Sequence, residues 1–173
     1  MQEILERAKP VRLVAFDVDG VLTDGSLFFG DQGQEYKVFN SKDGHGMTML
    51  RQTGVKLAVI SGRSSEAVRF RMRSLGAEHL YLGRQDKISA YEELKRATGL
   101  ADHQIAYVGD DVVDLPVMRR VGLAIAVADA HPLVRQCAHW HTPSPGGRGA
   151  GRDVCELVME AQGTLEPMME RYL

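Results

Sequence analysis

The sequence predicts an α/β protein built on a doubly wound parallel sheet, with one small β-hairpin beside it. Three observations predict it. Four short apolar runs are continuous rather than alternating, as strands covered on both faces are. Stretches with helical periodicity and recognisable caps lie between them. Strand–helix alternation of this kind implies right-handed crossovers within one sheet.

The apolar runs are Leu13–Phe16, Leu57–Ile60, Ile105–Val108 and Leu123–Val127, with Leu80–Leu82 as a weaker fifth. Between them, Ser64–Leu75 places Val68, Met72 and Leu75 on one side, capped by Ser64 and stopped by Gly76. Asp86–Thr98 carries Ile88, Tyr91 and Leu94 and stops at Gly99. Leu115–Val121 begins around Pro116, and a closing helix runs on from Gly151 through Val154, Leu157 and Val158. Leu27–Phe39 breaks the alternation and reads as a hairpin turning over Gly30–Gly33. Its aromatics Phe28, Phe29 and Tyr36 need cover from the core or from another subunit, because an isolated hairpin supplies none. Thr142–Arg152 reads as a Gly/Pro-rich linker, and Gly163–Leu173 as a frayed tail. His139 and His141 alternate without a third ligand, so they read as structural, with Trp140 as packing.

At 173 residues the chain suits one domain spanning 1–173. Its net charge of -2, with no basic block, argues against nucleic acid as a partner. Two cysteines, Cys137 and Cys155, make neither a disulfide framework nor a zinc motif and fit a reducing compartment. Residues 1–10 lack an apolar core segment, and no run approaches the roughly 18 apolar residues a bilayer span needs. The expectation is a soluble cytoplasmic protein with no membrane partner.

Polar clusters follow the strongest strands: Asp17-Val18-Asp19-Gly20, then Ser61-Gly62-Arg63, then Gly109-Asp110-Asp111 with Asp114 close behind. Ligands of parallel α/β sheets bind beyond the carboxyl ends of the strands, so the three clusters converge. Asp17 and Asp19 are two apart, and alternate side chains of extended backbone point the same way. Adding Asp110 and Asp114 concentrates negative charge that cannot be buried unpaired. A hard divalent cation resolves it, and Mg2+ suits a site of few carboxylates plus substrate phosphate. A carboxylate can serve as a covalent nucleophile toward phosphorus, with cations stabilising the transferring group. Ser61 supplies a hydroxyl to a phosphate oxygen, and Lys87, at a helix start, supplies positive charge.

Those residues resemble the four motifs of the haloacid dehalogenase superfamily: Asp17-Val-Asp-Gly-Val-Leu-Thr23, Ser61-Gly62, Lys87 and Gly109-Asp110-Asp111-x-x-Asp114. Phe16–Gly25, Asn40–Gly46, Gly109–Met118, Val121–Pro132 and Gly146–Ala150 resemble, more closely, the 3-deoxy-D-manno-octulosonate 8-phosphate phosphatase family, from about Val11 to the C-terminus. The resemblance implies a Rossmann-type core with no large cap domain, and a magnesium-dependent phosphoric monoester hydrolase of lipopolysaccharide precursor synthesis. It implies Asp17 as nucleophile and Asp19 as general acid and then base. Mg2+ would be held by the Asp17 side chain, the Asp19 main-chain carbonyl and Asp110, with Asp111 and Asp114 orienting that shell. Ser61 and Lys87 would hold the phosphoryl group. Asn40, Ser41, Lys42, Asp43, Gly44, Gly62, Arg63 and Arg71 would contact the sugar-acid phosphate. Family members are homotetramers in which residues 27–39 of one subunit close the site of another, and the tail reaches a neighbouring site. Thr48 stands where some members carry a basic residue, which bears on the exact sugar acid; the rival substrates are an N-acylneuraminate 9-phosphate or another sugar-acid phosphate. A phosphomutase would need a cap insertion that this chain lacks. A phospho-accepting receiver domain, the rival of another class, would place its acidic pair before an acceptor on a later strand, an order not found here.

Overall fold

The computed structural model describes all 173 residues. A short helix α1 (Gln2–Ala8) leads into β1 (Leu13–Phe16), followed by the hairpin strands β2 (Phe28–Phe29) and β3 (Glu35–Tyr36). Next come α2 (Ser41–Gln52), β4 (Lys56–Ile60), α3 (Glu66–Ser74), β5 (His79–Tyr81) and α4 (Lys87–Thr98). The chain continues through β6 (Ile105–Gly109), α5 (Leu115–Met118), β7 (Leu123–Ala126), α6 (Pro132–Cys137) and β8 (Trp140–His141). It finishes with α7 (Ala150–Ala161) and α8 (Leu165–Met169).

Six strands form one sheet in the order β5-β4-β1-β6-β7-β8, with every pairing parallel. The strand order reverses at β1, which pairs β4 on one side and β6 on the other. Such a reversal opens the crevice in which α/β proteins bind ligands. The continuous apolar runs are explained by cover on both faces: every residue of β1, β6 and β7 is buried. α1 and α2 pack on α7, and α4 packs on α5. The expected α/β doubly wound architecture is therefore the observed one, with a two-stranded antiparallel hairpin and no large cap.

Local capping sets the helix ends. Asp86 accepts from Ser89 N at the start of α4, and Gly99 ends it in the left-handed region at φ 70°. Ser65, one residue beyond the expected Ser64, caps α3. α2 has no counterpart in the hydrophobic pattern, because Gly44 and Gly46 lower its helical propensity. Both glycines make room. A Cβ on Gly44 would stand 2.1 Å from an Arg71 guanidinium nitrogen, and one on Gly46 2.7 Å from Arg152 Cδ.

His139 and Trp140–His141 form the sheet edge and its approach. His139 Nδ1 accepts from Ala124 N at 2.9 Å, so this histidine is structural. The tail is a correction to the expected frayed end. α8 packs on α7, Met168 is buried, and Tyr172 meets the His45 ring edge-on at 5.3 Å. Leu165, Met168 and Met169 supply the apolar side that docks it. No helix is long and apolar enough to cross a membrane.

Candidate active site

The chain leaves β1 at Asp17, whose N–H still donates to Val108 O, so the first carboxylate is fixed to the sheet. Its Oδ1 accepts from Val18 N at 2.7 Å, and Lys87 Nζ lies 2.9 Å from Oδ2. Lys87 opens α4 and is buried between two anions, Asp17 and, at 2.7 Å, Asp114 Oδ1. Burial opposes the Lys87 charge, yet the two carboxylates together hold its pKa above the usual lysine value.

Asp114 is fully buried and fully committed. Oδ1 accepts from Lys87 and from Tyr107 OH at 2.6 Å; Oδ2 accepts from the backbone N–H of Asp110 at 3.0 Å and of Asp111 at 3.3 Å. Those four donors occupy the four lone-pair sites of a carboxylate. Asp114 therefore shapes the loop after β6 and fixes Lys87. Asp110 is the opposite case: its Oδ1 is buried with no partner at all. An orphaned carboxylate oxygen is costly, and burial together with Asp17 and Asp114 pushes the Asp110 pKa up to about 8. Burial and Asp114 likewise raise Asp17 to about 7, against the pull of Lys87.

Carboxylate oxygens of Asp17, Asp110 and Asp114 lie within 4.8 Å of one another. Three carboxylates around one ammonium leave an excess of negative charge. With Asp114 saturated, Asp17 and Asp110 are the side chains with capacity for a hard divalent cation, so the donor set fits Mg2+. Gly20 preserves the space. At φ 83° it occupies a conformation that favours glycine, and a Cβ there would fall 2.1 Å from Asp110 Oδ2.

Asp17, Gly20, Lys87 and Asp110 line a cavity of about 290 Å³ that also takes in Asp19, Ser61, Gly62 and Arg63, with Asp114 buried behind it. Ser61 is buried, and its Oγ accepts from Arg63 N at 3.3 Å. Asp111, at the rim, accepts from Val112 N and caps the turn that carries Asp114. Three strand ends thus meet, as expected.

The remaining expected contacts are placed elsewhere. Asn40, Ser41, Lys42, Asp43, Gly44 and Arg71 are not part of this cavity. Asn40 Oδ1 caps α2 through Lys42 N at 2.8 Å. The Asp43 carboxylate is buried and accepts from Arg152 N at 3.0 Å, tying α2 to the start of α7; burial raises its pKa. Thr48 Oγ1 turns back to Gly44 O at 3.0 Å.

Sequence reasoning missed four contributors. Tyr107 lies within a strand run and Lys37 within the hairpin run, and Gln85, which donates to Gly62 O at 2.8 Å, lies between two assigned segments; none carries a sequence signal of its own. The fourth is the expected linker at 142–152, which is a support. Gly147 N donates to Val21 O at 2.8 Å, and Gly146 N to Asp129 Oδ1 at 2.9 Å. A Cβ on Gly146 would lie 1.8 Å from Gly20 O. Gly146→Ala is therefore expected to push the Asp17–Gly20 loop aside, lowering turnover at least about tenfold. Phosphate-release kinetics check it, with a melting curve to separate misplacement from unfolding.

This sheet, with aspartates at two neighbouring strand ends and a buried lysine paired with Asp17 and Asp114, defines a hydrolase of the haloacid dehalogenase-like class. Residues 78–149 match the family model described as haloacid dehalogenase-like hydrolase. The 3-deoxy-D-manno-octulosonate 8-phosphate phosphatase of Yersinia pestis is 46% identical over 164 residues, covering 95% of this chain and 88% of that protein. A crystal structure of a probable phosphatase from Pseudomonas syringae superposes with TM-score 0.98 at 49% identity, covering 99% and 98% of the two chains. The Moraxella catarrhalis 3-deoxy-D-manno-octulosonate 8-phosphate phosphatase, solved with a magnesium ion, a phosphate ion and a KDO molecule, has TM-score 0.98 at 38% identity, covering 100% and 99%. The chain belongs to the 3-deoxy-D-manno-octulosonate 8-phosphate phosphatase family.

Proposed function

We propose that the chain hydrolyses 3-deoxy-D-manno-octulosonate 8-phosphate to the free sugar acid and inorganic phosphate, in the cytoplasm, as a step of lipopolysaccharide precursor synthesis. The observation that carries the chemistry is Asp17, held by Val18 N and Lys87 at the floor of a polar cavity with Asp19 beside it. Near-full-length identity to relatives of that name supports the substrate.

Asp17 attacks phosphorus as the bond to the C8 oxygen breaks, and Asp19 gives its proton to the leaving alcohol. Asp19 then takes a proton from water as that water attacks the aspartyl phosphate, and phosphate leaves while Asp17 is restored. Ser61 and Lys87 hold phosphoryl oxygens, and Asp114 keeps Lys87 in place. Mg2+ would be held by the Asp17 and Asp110 side chains and the Asp19 carbonyl; bound there, it offsets negative charge on the transferring phosphoryl group. Asp111 steadies the loop that carries Asp110 and Asp114.

Residues 1–173 act as one hydrolase domain and assemble as a homotetramer. Phe28, Phe29, Tyr36 and Val38 are all more than half exposed on the hairpin region, which calls for cover by another copy. Asn40–Gly44 and Arg71, outside this protomer's cavity, would then contribute across an interface. Light scattering that returns a monomer mass would end the tetramer reading.

The test of substrate is phosphate release from a panel of sugar-acid phosphates with and without Mg2+. The expected result is a kcat/KM for the eight-carbon substrate at least about tenfold above that for N-acylneuraminate 9-phosphate. The reverse order would assign the nine-carbon substrate and leave the reaction unchanged.

A further inference from the structure

We propose that Lys37 is a positioning residue for Asp19, and that it leaves Asp19 Oδ2 as the oxygen that carries the proton. This rests on the phosphatase reading above, in which Asp19 moves that proton.

Lys37 follows β3 in the hairpin, yet its side chain is only 1% exposed. A surface hairpin has no need to bury a lysine, since the long stem readily reaches water. Burying the ammonium is costly unless good partners are in place. Here Nζ pairs with Asp19 Oδ1, and Glu35 Oε1 lies 2.5 Å from the same ammonium as a charge partner outside hydrogen-bond geometry. Glu35 Oε2 accepts from Arg63 Nη2 at 2.8 Å, and Arg63 Nε comes back to within 4.0 Å of Asp19 Oδ2. Two anions and two cations therefore alternate around a closed ring. The ring joins the hairpin to the loops after β1 and β4. Arg63 also lies 6.0 Å from the Phe29 ring centre, a second tie to the hairpin.

The geometry is unequal at the two Asp19 oxygens. Oδ1 is taken by Lys37, which fixes the rotamer of the carboxylate. Oδ2 has Arg63 beyond hydrogen-bond reach, so it is free to hold and deliver a proton. Proton transfer to a leaving alcohol depends on such placement, because small displacements of the donor cost rate steeply. Glu35 holds Lys37 and Arg63 in turn holds Glu35.

The test uses leaving groups. An alkoxide departs poorly without a proton, whereas nitrophenolate departs as a stable anion. Lys37→Met is expected to lower kcat/KM for the sugar-acid phosphate about 100-fold. The fall for p-nitrophenyl phosphate is expected to be under about threefold, because kcat/KM reports only steps up to leaving-group departure. Lys37→Arg, which keeps the charge, should recover most of the loss. In an Asp19→Asn background Lys37→Met should add no further loss, since both act through one proton. Equal falls on the two substrates, or none on either, would overturn the proposal and reduce Lys37 to a structural role. Glu35→Gln should give the same contrast at lower amplitude, which keeps the test decisive if Lys37→Met does not fold. A wild-type chain that releases phosphate from neither substrate would instead bring down the phosphatase reading itself.

Discussion

Asp17→Asn is expected to release phosphate at least about 10,000-fold more slowly than the wild-type chain. The amide nearly matches the carboxylate in shape and keeps an oxygen for the Val18 N–H, which lies 2.7 Å from Oδ1. It cannot act as the nucleophile. Lys87 would retain Asp114 as its counter-ion at 2.7 Å, so the core of the site should stay folded. Stability should move the other way from activity. Removing one anion relieves the crowding that raises Asp17 and Asp110, so the cation-free variant should melt above the cation-free wild type. Phosphate-release assays and melting curves check the two halves, and mass spectrometry of the wild type after an acid quench should find the phosphorylated aspartate. Full activity in Asp17→Asn would sink the covalent mechanism.

Removal of divalent cation is expected to abolish measurable turnover and also to change how stability depends on pH. Asp17 is raised to about 7 and Asp110 to about 8 without a cation, burial being the main cause for both. Each carboxyl therefore binds its proton more tightly folded than unfolded, where the reference lies near 3.8. A raised folded pKa makes the fold most stable at low pH and takes stability away as pH climbs toward that value. The cation-free protein should thus lose melting temperature between about pH 4 and pH 8 through these two groups. Mg2+ binds the ionised form, so its stabilising shift should be larger at pH 8 than at pH 5.5. A Mg2+-induced shift that is the same at both pH values would mean the cation does not bind at these carboxylates.

The catalytic floor was legible because each strand end carries its own short polar cluster. Asp17 and Ser61 directly follow continuous apolar runs and Asp110 follows one after Gly109, and the topology needed only the parallel-sheet rule to bring them together. What pattern-reading could not show was anything made by distant packing. Lys37 looks like an ordinary exposed hairpin lysine until the hairpin folds back on Asp19. Tyr107 alternates with apolar neighbours and reveals its role only through the hydroxyl that reaches Asp114. α2 was hidden by Gly44 and Gly46, whose low propensity is offset by the close approach of Arg71 and Arg152. The tail was hidden because residues 165–169 are too short a segment to show periodicity, although tertiary packing buries Met168.

The support of the Asp17 loop by Gly146 and Gly147 has a consequence for how the protein is made. The loop that carries Asp17 is synthesised well before the glycines that brace it. Gln162 adds a second late clasp, its amide donating to Val11 O at 2.7 Å across a separation of 151 residues. Contacts so far apart in sequence form late and slow the search for the native state. A nascent chain lacking residues from 146 onward would hold Asp17 and Asp19 without their brace, and so stay inactive during synthesis. Activity would therefore wait until Gly146 and Gly147 have docked against that loop.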